Sequence, residues 1–172
     1  QYDDVYAEKF ENLWQYSKVY SNHIDPVTKL TNNWWYVWRK RGFESKWANR
    51  YPMGKDKTPL FTFWDYQVLS HIEARKRVYA PLYAKYVMQT NSFKRLQDIV
   101  NTEKIVVLRD FDAYDLVKIG KTLVEAINDP SKKFGHTFVL QAILEGKLDE
   151  CVNSETEASL KEVRSDKWEL EI

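Results

Sequence analysis

Three carboxylates crowd into the run Asp110-Phe111-Asp112-Ala113-Tyr114-Asp115. Directly before them stands an apolar, β-prone run, Ile105-Val106-Val107-Leu108-Arg109. A buried strand ending in acids is how α/β proteins deliver carboxylates to a sheet edge, where their ligand sites lie. If the chain turns there, Asp110 and Asp112 converge. Converging carboxylates bind a divalent ion such as Mg²⁺, hold ribose hydroxyls, or act as a general base. The plainer reading makes them caps of a turn or of the next helix.

Three further constellations could carry chemistry. Trp47-Ala48-Asn49-Arg50-Tyr51-Pro52-Met53-Gly54-Lys55 sets cations beside aromatic rings and a Pro/Gly turn. Arg50 and Lys55 could clamp a phosphate while Trp47 or Tyr51 stacks on a base. The alternative is a basic surface loop packed over Trp47. Glu73-Ala74-Arg75-Lys76-Arg77 lies near an apolar stripe. An inward Glu73 would suit acid/base work, Arg75 would contact ligand, and an exposed Glu73–Arg77 pair is the rival. Phe134-Gly135-His136-Thr137 places an imidazole in the first turn of a helix, where main-chain amides favour anions. His136 is therefore an acid/base or donor candidate, with a packed or capping histidine as the alternative.

Two other motifs fail. Gly120-Lys121-Thr122 lacks the earlier glycine of a phosphate loop, since that position is Asp115. Three dispersed histidines and one cysteine give no zinc pattern.

The elements that must position these residues read as follows. Helices are expected over 3–21, capped by Asp3 or Asp4, and over 31–41, where Trp34, Trp35, Tyr36 and Trp38 fit no single period. Residues 44–63 read as irregular, with Leu60 to Phe63 extended. A long helix is expected over 65–90, kinked or split at Pro81. Shorter helices are expected over 91–100, 120–128 and 135–146, the last ending at Gly146. The strand 104–109 is expected to be the centre of a small sheet.

The 172 residues suit one domain able to bury a core without disulfides. The fold expected is α/β, a helix-rich single domain over 1–147. An acidic tail, 148–172, would follow as a mobile arm or a docking peptide around Trp168. Net charge is +1, which sets up no global field for DNA or membrane. The charge is uneven. Residues 147–172 hold four basic and eight acidic side chains, whereas Arg39 to Lys57 hold seven basic and two acidic. No apolar run is long enough to span a bilayer and no signal peptide is evident, so a cytoplasmic protein without membrane contact is expected.

Arg50-Tyr51-Pro52-Met53-Gly54, Glu73-Ala74-Arg75-Lys76 with Tyr79-x-Pro81-x-Tyr83, Asp110-Phe111-Asp112-Ala113-Tyr114-Asp115, and Gly135-His136-Thr137-Phe138-Val139-Leu140 resemble an uncharacterised family of bacterial and phage proteins. The likeness spans roughly residues 10–147, with Ala113 standing where the family pattern has glycine. The order of elements is also similar to small phage and bacterial domains linked to nucleotide or ADP-ribose metabolism. The expectation is an enzyme acting on a nucleotide or nucleoside-like ligand, at an N-glycosidic bond. Asp110, Asp112, Glu73 and His136 would be catalytic, and Trp47, Arg50, Tyr51, Lys55 and Arg75 would bind ligand. One rival is a non-catalytic module that binds nucleic acid or protein through region 34–57. Another is a structural component of a larger assembly.

Overall fold

The computed structural model describes residues 6–155. The expected caps Asp3 and Asp4, and the acidic tail beyond 155 with Trp168, lie outside the described residues. The fold is helix-rich α/β with a small three-stranded antiparallel sheet. Contacts gather into two compact units, Gln1–His71 and Ile72–Ile172.

The first unit contains α1 (Phe10–Tyr16), β1 (Lys18–Val19), α2 (Asn33–Glu44), β2 (Phe61–Trp64) and β3 (Gln67–Leu69). The helix expected through residue 21 stops at Tyr16. Val19 and Tyr20 are better used as extended chain, because Val19 pairs with Phe61 and is fully buried. Tertiary pairing here overrides helical periodicity. α2 is capped by the Asn32 side chain, which accepts from the Trp35 amide. Trp35, Arg39, Gly42 and Phe43 form its buried face, and Trp34, Tyr36 and Val37 are exposed. The Trp35 indole donates to the Lys18 carbonyl at 3.0 Å and so ties α2 to the sheet. At Gly42 an added Cβ would sit 2.1 Å from Tyr16 Cδ1, so only glycine lets α1 and α2 approach this closely.

Residues 65–69 do not begin the long helix. β2 and β3 form a hairpin through Asp65 and Tyr66, whose φ values are 47° and 58°. Positive φ at both central residues is the signature of the type I′ turn, whose twist matches paired strands.

The second unit begins within a helix that runs as α3 (His71–Ala74), a π-helical segment (Arg75–Tyr79) and α4 (Ala80–Val87). The π segment lies just before Pro81. There the Ala80 amide reaches back five residues to the Arg75 carbonyl. A widened turn of this kind accommodates a proline that lacks a donor and would clash one turn back. α5 (Asn91–Thr102) is capped by Thr90, whose side chain accepts from the Phe93 amide. α6 (Leu123–Ile127) opens with a reciprocal Thr122–Glu125 capping box. α7 (His136–Leu144) ends near Gly146, which takes φ 67°. α8 (Leu148–Asn153) packs against the π segment, α6 and α7, and buries Cys151. Six residues assigned by sequence to the start of the acidic tail are thus packed helix.

The expected central strand 104–109 is not a strand. Residues 105–110 take no regular structure, and Ile105 and Val107 are 84% and 71% exposed. The three strands among the described residues lie between residues 18 and 69. Among the described residues of the second unit there is no other strand for 104–109 to pair with. An apolar run becomes a strand only when its amides and carbonyls find a ladder.

Candidate functional site

Glycine at the start of α7 is what lets the acids come close. Gly135 is the N-cap residue and so offers no side chain to the free amides. A Cβ built there would lie 3.3 Å from Asp110 Oδ2 and 3.9 Å from Asp112 Cβ. Both carboxyl-bearing residues therefore abut the positive end of the helix that begins with His136. The chain turns after Asp110: its own Oδ1 accepts from the Phe111 amide at 2.6 Å, and its carbonyl accepts from the Ala113 amide at 3.2 Å. The Lys133 ammonium holds Asp112 Oδ1 at 2.7 Å.

Three stacked rings complete the cluster. The His136 imidazole lies 4.4 Å from the Tyr83 ring, at 14° between planes, and 5.8 Å from Tyr79, at 7°. Tyr79 and Tyr83 stand one helical turn apart and stack at 6.4 Å. Burial raises the Tyr83 phenol above its ordinary value, and the negative charge of Asp110 pushes it further the same way. The phenol therefore stays protonated beside a carboxylate. Carboxylate acceptors, a protonated phenol and an imidazole on half-buried residues form a constellation able to bind hydroxyls and pass a proton.

Three of the four expected catalytic residues, Asp110, Asp112 and His136, thus share one neighbourhood. The fourth, Glu73, is half-buried on α3 and engaged in its own interactions. Arg75, expected to bind ligand, is buried and braces main chain. Its guanidinium donates to the carbonyls of Asp129 at 2.8 Å and Ile127 at 3.4 Å, and to that of Lys132. Trp47, Arg50, Tyr51 and Lys55 belong to the first unit, on an exposed loop. Asp115, the third acid of the run, is exposed and accepts from the Lys118 amide in a turn.

Sequence reasoning overlooked Tyr79, Tyr83 and Lys133 as site residues. The tyrosine pair carried a usable signal, its i,i+4 spacing, but read as part of the apolar stripe. Lys133 carried none. Lys121, from the failed phosphate-loop motif, pairs with Asp129 and helps hold that carboxyl down at about 2. Thr122 is spent on capping α6. Among the described residues no group of three or more His, Cys, Asp or Glu is placed to hold a metal ion, so the expected Mg²⁺ gains no ligand set beyond the Asp110–Asp112 pair.

Comparison with family models, curated proteins and solved structures finds no match for this chain. No helix among the described residues is long and apolar enough to cross a membrane.

Proposed function

We propose that this protein is an enzyme acting on a nucleotide or nucleoside-like ligand, with hydrolysis of an N-glycosidic bond at the start of α7 as its chemistry. The observation behind this reading is the meeting of Asp110 and Asp112 with Gly135, His136 and Tyr83. Ribose hydroxyls would donate to the Asp110 and Asp112 carboxylates, which would also steady the positive charge that develops on the sugar. One carboxylate would take a proton from the attacking water as its oxygen bonds to the anomeric carbon. The bond to the base nitrogen breaks, and a donor of the His136–Tyr83 pair would return a proton to that nitrogen. The half-buried Tyr83 ring adds aromatic surface suited to a heterocycle.

Binding is tested by thermal shift of the full chain against nucleosides, nucleotides, NAD and ADP-ribose, with and without Mg²⁺. A true ligand at one hundred times its dissociation constant stabilises the fold by about 2.7 kcal/mol. The expected result is a rise in midpoint with a ribose-bearing compound that Asp112→Asn abolishes. A panel in which no compound shifts the midpoint would overturn the reading.

A further inference from the structure

The first unit carries a feature that this chemistry does not use. Trp47 is 84% exposed, yet side-chain hydrogen bonds hold its main-chain amide and carbonyl. The fully buried Asn12 donates to the Trp47 carbonyl at 2.8 Å and to the Ser45 carbonyl at 3.2 Å, and accepts from the Asn49 amide at 2.8 Å. The Ser45 hydroxyl donates to the Trp47 carbonyl at 3.1 Å and accepts from the Trp47 amide at 3.3 Å. Asn49 in turn donates to the Tyr16 hydroxyl at 3.3 Å. A buried amide side chain is thus committed to fixing a loop whose central ring points away from the core.

An isolated surface aromatic is ordinary. An aromatic on a clamped backbone, set among cations, is different. From Lys46 to Lys57 the chain holds Lys46, Arg50, Lys55 and Lys57 against the single acid Asp56. Tyr51 is a second exposed ring, with the Lys55 ammonium 5.9 Å from its centroid. Flat rings interleaved with cations match a polymer of stacked bases joined by phosphates. Holding the Trp47 backbone in advance reduces the entropy lost when a base stacks on it.

We infer that the 45–57 loop is a docking surface for single-stranded nucleic acid, with a base stacked on Trp47 and the backbone phosphates held by the flanking cations. An anionic membrane would also attract the cations, but the loop is not a helix and offers no continuous apolar face to bury in the interface. An acidic polypeptide would use the charge without the ring.

The test is fluorescence anisotropy of the full chain with a labelled oligothymidylate of about 12 nucleotides, which spans the loop at the usual site size. Anionic phospholipid vesicles and polyglutamate serve as parallel arms. The oligonucleotide should quench tryptophan fluorescence. Its affinity should fall with salt at a logarithmic slope near −2, as for about three neutralised phosphates. Trp47→Ala should weaken binding by about tenfold or more without changing that slope. Lys46→Gln should make the slope shallower. Trp47 and Lys46 are exposed, so both variants should keep the wild-type circular dichroism. No binding at low salt, equal affinity in Trp47→Ala, or vesicles or polyglutamate bound as tightly as the oligonucleotide would each overturn the inference. None of these outcomes bears on ligand stabilisation through Asp112.

Discussion

His23 shows how one residue can set the acid limit of the first unit. Its ring is fully buried among Tyr20, Trp34 and Trp38, with centroids 4.6 Å from each tryptophan. Nδ1 accepts from the Tyr20 amide at 3.2 Å, so the neutral ring is the one the fold requires. Burial lowers its pKa from 6.5 to about 4. Between those values the unfolded chain binds a proton that the folded chain refuses. Stability is therefore full above pH 6.5 and declines as pH falls toward 4. Urea unfolding at pH 7.5, 6 and 4.5 should show this decline, and His23→Gln should flatten it. Asp129, held down at about 2 first by Lys121 and then by Ser131, adds a separate loss only below pH 3.8. At the site, Gly135→Ala tests whether Asp110 must approach the start of α7. The added methyl would meet Asp110 Oδ2 at 3.3 Å, with no backbone strain because φ is −100°. The expected result is a stability change within about 1 kcal/mol with turnover reduced by tenfold or more, since small displacements of reacting groups are costly.

Individual elements were legible where local chemistry and tertiary use agree. α2 and α7 are predicted within a few residues, α7 because its apolar run closes at Gly146 and α2 although its rings fit no single period. The sheet was misplaced for a definable reason. Ile105–Leu108 has the composition of a strand but no partner, while the real hairpin turns through Asp-Tyr, without the Asn-Gly or Asp-Gly that announces a type I′ turn. Hydrogen exchange separates the two assignments. Among the described residues, the amides of Ile105–Arg109 make no hydrogen bond, so they should exchange near the unprotected rate. The paired amides of Phe61–Trp64 should be protected. Gly42→Ala tests the α1–α2 contact. The methyl would collide with the Tyr16 ring, so a loss of about 1–3 kcal/mol is expected by denaturant titration, despite alanine's better helix propensity.

For the whole molecule, the sequence showed a helix-rich α/β fold and an uneven charge distribution. It also singled out Asp110, Asp112 and His136, which the structure brings to the start of α7, because Gly135 and the Asp-x-Asp run each carry a local signal. It could not reveal that Arg75 braces carbonyls 52 to 57 positions away, nor that Leu148–Asn153 closes the second unit. Long-range burial of that kind leaves no periodicity to read. The division of the chain into two units gives the two readings separate homes. Hydrolysis is assigned to the second unit, and strand docking to the first. The most direct test of the central claim is the rate of free-base release from the ribose-bearing ligand that stabilises the protein, measured for wild type and Asp110→Asn. The account predicts release by wild type, reduced by about 100-fold or more in the variant, with the thermal midpoint essentially unchanged. Base release at the wild-type rate from Asp110→Asn, or a stabilising ligand left uncleaved by wild type, would contradict it.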